Sequence, residues 1–170
     1  MATGDLKGKI YFGDPYKTMA LSNPVAEKLR EAFKIFWRQG YHPLFGKNVC
    51  YGTPAEILEY SIFHVHIDVG DYDENDKSAC KAAWDAWKNT GGKPKHKRPT
   101  SNSFLSYAVN EDRDAYVMHI FYAEAHKCSY LSEFTEFAIN ESQHFYKQTK
   151  TKPMHIDEHD SLFNKKHIEK

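Results

Sequence analysis

The 170-residue chain predicts an α+β domain in which a small antiparallel sheet is flanked by helices. Three observations lead there. An amphipathic helix with its own start and stop signals opens the patterned part of the chain. A strand bearing two histidines follows, with period-two alternation. Two further strands, joined by a short polar turn, then run into a second amphipathic helix.

Each element can be justified in order. Residues 1–22 contain Gly4, Gly8, Gly13 and Pro15 without a sustained period, and read as a loose lead-in with one short strand, Ile10 to Phe12. Asn23 can accept from exposed helical amides and Pro24 suits a first helical position, so a helix begins there. Val25, Leu29, Phe33 and Phe36 recur at helical spacing, and Gly40 stops the run, which predicts a helix over 24–39.

In Ile57–Asp68, Phe63, Val65 and Ile67 alternate with Ile62, His64 and His66, which predicts a strand with an apolar face and a histidine face. An acidic loop follows at 68–76, then a helix over 77–88 with Ala79, Ala83, Trp84 and Trp87 able to share one face. Gly91, Gly92, Pro94 and Pro99 break the chain into a basic loop. Strands at 103–109 and 115–123 are joined by Asn110–Asp114 as a hairpin. A last helix capped by Ser129 or Ser132 runs to about Tyr146, with Leu131, Phe134, Ala138 and Phe145 on one stripe. The expected organisation is thus a lead-in over 1–22, a single domain over 23–147 and a polar, partly mobile tail over 148–170.

The charge is balanced, with 23 Lys+Arg against 23 Asp+Glu. That excludes an all-basic nucleic-acid coat and an acidic disordered tail. Locally the balance fails. Asp68, Asp71, Asp73, Glu74 and Asp76 crowd one loop without a cation, while Lys88, Lys93, Lys95, Lys97 and Arg98 share a stretch without an acid. No run of 18 uncharged apolar residues predicts a membrane span, and no apolar leader opens the chain, so a cytoplasmic protein is expected. Cys50, Cys80 and Cys128 are too scattered for a disulfide framework or a CxxC metal site.

Ten histidines are many for this length. His64 and His66, two apart on a strand, project from the same face, where a metal pair, an acid/base pair or an RNA-contacting surface are all open. A metal site would need further ligands, for which His119 and His126 are available. His119, mid-strand and grouped with Val117 and Phe121 on one face, reads as a core or semi-core histidine. His126 and Lys127 fall just past a strand end and before the last helix, where loops place function and helix amides favour anions. Lys93, Lys95, Lys97 and Arg98, followed by Ser101, Asn102 and Ser103, form a cation patch suited to RNA phosphates. His155 to His159 spells HxxEH, the text of inverted zinc peptidases. It follows Pro153 and lacks the apolar flanks of a buried helix, so no metal and no other cofactor is expected. No GxGxxG, Walker loop or GxSxG appears, which removes nucleotide-dependent and serine-hydrolase classes.

Taken in order, Phe45-Gly46-Lys47, His64-Val65-His66, Arg98 with Thr100, Leu105-Ser106-Tyr107 and His126-Lys127 resemble the YafO-type toxins of bacterial type II toxin–antitoxin systems. The resemblance spans roughly 24–146. It implies a RelE-like fold, a ribosome-dependent mRNA endonuclease and a cognate antitoxin. It further implies metal-free cleavage by the RNA 2′-hydroxyl. His66 and His126 would then serve as acid and base with His64 assisting, and Arg98 and Lys127 would stabilise the phosphate. The rival reading is a non-enzymatic RNA- or protein-binding module of a phage or mobile element, which would use the same basic loop without titrating a histidine.

Overall fold

The fold was analysed in a computed structural model, which describes residues 4–93 and 97–169. Five strands form one mixed sheet in the order β1-β5-β4-β3-β2: β1 (Ile10–Phe12), β2 (Phe45–Cys50), β3 (Ile62–Ile67), β4 (Phe104–Val109) and β5 (Ala115–Phe121). Helices α1 (Asp14–Ser22), α2 (Pro24–Gln39), α3 (Lys77–Thr90), α4 (Ala125–Ser129) and α5 (Ser132–Thr149) surround it. The α+β expectation holds. The sheet is not purely antiparallel, because β1 pairs in parallel with β5.

The α2 helix forms where its signals lie. The Asn23 side chain accepts from the amides of Val25 and Ala26, and Gly40, at φ 75°, returns its N–H to the Phe36 carbonyl. Its buried stripe of Leu29, Phe33, Phe36 and Trp37 covers one sheet face, made of Phe45, Phe63, Val65, Ile67, Leu105 and Tyr107. Each such aromatic or aliphatic side chain contributes roughly 1.5–3 kcal/mol of burial. The α5 helix covers the opposite face, setting Phe134, Ala138, Phe145 and Tyr146 against Tyr51, Ile62, Ala108, Tyr116 and Met118.

Several expectations need correction. The strand predicted from Ile57 begins only at Ile62, because Ala55–Tyr60 is a 3-10 turn closed by Ser61 in the left-handed region. The β2 strand and α1 were not anticipated. Val117 does not share a face with His119 and Phe121: the β4–β5 register slips at Met118, which sends Val117 to the α2 side and His119 to the α5 side. The described residues of the terminal segments pack against the domain. Leu6 bridges to Ile168, Met154 and Leu162 are buried in the α2-side core, and Phe163 packs at a tilt against Phe36.

Arg113, in the β4–β5 turn, holds these ends together. It is fully buried, and its guanidinium donates to the carbonyls of Leu162 (2.6 Å), Trp37 (3.0 Å) and Lys7 while lying over the Trp37 ring. Gly8 passes so close that a Cβ there would meet the Arg113 carbonyl at 2.1 Å.

Candidate functional site

Strand β3 lies inside the sheet, between β4 and β2, so both of its edges are paired, and all six of its residues are buried. His64 pairs across β4 with Ser106, and His66 with Phe104. The Phe104 ring is the hub of an aromatic cluster. His64 stacks on it at 4.3 Å between centroids, while His66 and His126 meet it edge-on, each at 4.6 Å. His66 lies 5.6 Å from both His64 and His126. Three of the five residues expected to be catalytic are therefore neighbours.

The segment Ser101-Asn102-Ser103 brackets this cluster. The amide and carbonyl of Ser101 both lie 2.9 Å from Nδ1 of His66. The Asn102 carbonyl accepts from the Ala125 amide, and the Ser103 hydroxyl from the Ala123 amide. One short stretch thus fixes His66 and the start of α4, which carries His126. Ser101 and Ser103 are buried, so they serve as a frame and not as the phosphate contacts their place after the basic loop suggested.

Burial dominates the proton affinities. It pushes His64 down to about 3 and His66 down to about 4; the hydrogen bond to Ser101 opposes it at His66, His66 adds to it at His64, and His126 and the Lys47 ammonium add to it at both. His126 is exposed at the surface and is also lowered. Burial is the largest cause there, Asp73 opposes it and Lys47 adds to it. Nδ1 of His64 is buried without a hydrogen-bond partner. All three imidazoles are held neutral near pH 7, the form that accepts a proton.

The remaining candidates are placed differently. Lys127 is exposed on α4 and pairs with Glu124 at 3.9 Å, within a five-residue helix and not in the loop ahead of the last helix. Arg98 does not join the histidines. It lines a cleft of about 300 Å³ with Asn48, His159, Asp160 and Asn164. Lys93 and Lys97 are exposed, and Lys95 lies outside the described residues. His119 is half-buried, edge-on to Phe121 and Phe137.

The HxxEH text folds as a 3-10 turn whose members face different partners: Glu158 pairs with Lys166, and Nε2 of His159 lies 2.8 Å from the Ser61 hydroxyl. Among the described residues, no group of three or more His, Cys, Asp or Glu is placed to hold a metal ion. A cleft of about 670 Å³ between β1 and α5 contains none of the predicted site residues.

Residues 31–147, which run from within α2 to near the end of α5 and include the whole histidine cluster, match the family model of toxin YafO of type II toxin–antitoxin systems. The chain belongs to the YafO toxin family. No curated protein and no solved structure matches it. Membership of a type II toxin family implies a cognate antitoxin as partner. The match stops before the HxxEH turn. Among the described residues, no helix is long and apolar enough to cross a membrane.

Proposed function

We propose that this YafO-family toxin is a ribosome-dependent endoribonuclease that cuts mRNA through histidine acid/base chemistry. The observation that carries the reading is the convergence of His64, His66 and His126 on Phe104, with only His126 at the surface. In metal-free cleavage the 2′-hydroxyl attacks its own phosphodiester. A base removes the 2′ proton, an acid protonates the departing 5′-oxygen, and the products carry a 2′,3′-cyclic phosphate and a 5′-hydroxyl.

Burial keeps His66 neutral, and with Nδ1–H donating to the Ser101 carbonyl at 2.9 Å the Nε2 lone pair is left to accept the 2′ proton. His126, neutral in the free protein, takes the acid role once a bound phosphodiester adds its negative charge to that of Asp73 and raises the proton affinity of the ring. His64 supports the pair from beneath, and Lys127 lies one residue from His126 to meet phosphate. Lys93, Lys95, Lys97 and Arg98 would grip the RNA strand away from the reacting bond, a role that fits the separate Arg98 cleft.

His66→Ala and His126→Ala, expressed without antitoxin, are each expected to relieve growth arrest and to slow cleavage of ribosome-bound mRNA by about 100-fold or more. Undiminished toxicity and cleavage in both variants would rule the reading out.

A further inference from the structure

The proposed chemistry needs cations at the reacting phosphate; Lys127, partly shared with Glu124, supplies one, and Arg98 lies in another cleft. Strand β2 offers a different one. Its register against β3 runs from Phe45 opposite Ile67 to Asn48 opposite Val65, so Gly46 and Lys47 together face the single residue His66. This is a β-bulge on an edge strand, a device that re-aims a side chain and occurs often beside active sites.

The bulge is held from both sides. A Cβ on Gly46 would meet the Pro99 carbonyl at 2.3 Å and the Trp84 ring at 2.8 Å, so only glycine fits. The Lys47 amide donates to that same Pro99 carbonyl at 2.9 Å, and the Trp87 indole donates to the Phe45 carbonyl at 2.8 Å. The Lys47 side chain is exposed, and among the described residues no acid pairs with it. Lys127, by contrast, is already shared with Glu124.

We propose that Lys47 binds the scissile phosphate beside His66 and His126, as a cation that meets the charge developing in the transition state. This rests on the endoribonuclease reading above. The placement also accounts for the electrostatics, since the Lys47 ammonium lowers the proton affinity of His64, His66 and His126 alike.

The test uses the full chain with Lys47→Met and Lys47→Arg. In RNA-free protein, NMR titration of the imidazoles reads the charge directly. The groups that bear on His126 are Asp73, Lys47 and the neighbouring His66, and those on His66 are His64, His126 and Lys47. Lys47→Met is expected to raise the His66 and His126 midpoints, and Lys47→Arg to leave them in place. In single-turnover cleavage on ribosomes, Lys47→Met is expected to lose about 100-fold or more, with Lys47→Arg recovering most of it. Unmoved midpoints in Lys47→Met overturn the inference. So does wild-type cleavage by Lys47→Met where His126→Ala is inactive, and the nuclease reading then stands. Wild-type cleavage by His66→Ala and His126→Ala together sinks that reading, and the role given to Lys47 with it.

Discussion

At the scale of single residues, the same burial that shapes the site also sets the pH dependence of stability. Burial holds His64 and His66 down at about 3 and about 4 in the fold, against about 6.5 in an unfolded chain. Below pH 6.5 the unfolded state takes up protons that the fold refuses. Their stabilising effect is therefore complete above that pH and is lost as the pH falls toward 4. Each histidine costs at most about 1.4 kcal/mol per pH unit in that window. Urea unfolding is expected to show a clear loss between pH 7 and pH 5, and His64→Gln should flatten the dependence. Equal stability at the two pH values would contradict the buried, neutral histidines. Arg113 is a second residue whose role is set by burial. Arg113→Met would strand three carbonyl acceptors and is expected to destabilise the fold by roughly 3 kcal/mol or more in the same assay. The His64–His66 pair was legible because a two-residue spacing on a strand puts both on one face. Arg113 was not, since an arginine in a polar turn reads as solvated until its carbonyl partners, all distant in sequence, are in place. Lys47 was hidden for another reason: a bulge breaks the alternation that tells which way a side chain points.

At the scale of elements, legibility followed the strength of local pattern. The bounds of α2 were readable to the residue because a cap, a stripe and a left-handed glycine all agreed. Asn23→Ala is expected to cost about 1 kcal/mol by removing that cap, measurable as a lowered midpoint in thermal unfolding. Helix α1 escaped notice because it buries only Tyr16 and so carries no stripe. Strand β2 escaped because Phe-Gly-Lys-Asn-Val-Cys does not alternate across its bulge. The five-residue α4 is too short to show a period, and it follows two left-handed residues, Ala123 and Glu124, that no propensity rule anticipates. Gly46→Ala tests the bulge as an element. The added methyl meets backbone and a buried indole, so a loss of about 1–3 kcal/mol is expected, with an altered Trp84 fluorescence. An unperturbed melt and spectrum would show that β2 does not approach Pro99 so closely.

At the scale of the whole molecule, the balanced charge resolves into segments that partly answer one another. Asp68 pairs with Lys88 and accepts from Tyr72, and Asp71 accepts from Ser103, so the acidic loop braces the frame beside the histidines. The C-terminal segment is likewise part of the structure. Its polar composition hid Met154, Leu162 and Phe163, which fill the α2 side of the core once Arg113 and Ser61 anchor the backbone around them. Deletion of residues 152–170 is therefore expected to abolish a cooperative thermal transition in circular dichroism, although the family match ends at residue 147. For the whole molecule, the proposed activity is cleavage of mRNA by histidine-driven attack of the 2′-hydroxyl. Analysis of the ends formed when the purified toxin meets mRNA on ribosomes tests it most directly. The account predicts 5′-hydroxyl and 2′,3′-cyclic phosphate ends with the wild type and none with His126→Ala. Fragments with 5′-phosphate ends, or intact mRNA under a toxin that still arrests growth, would contradict it.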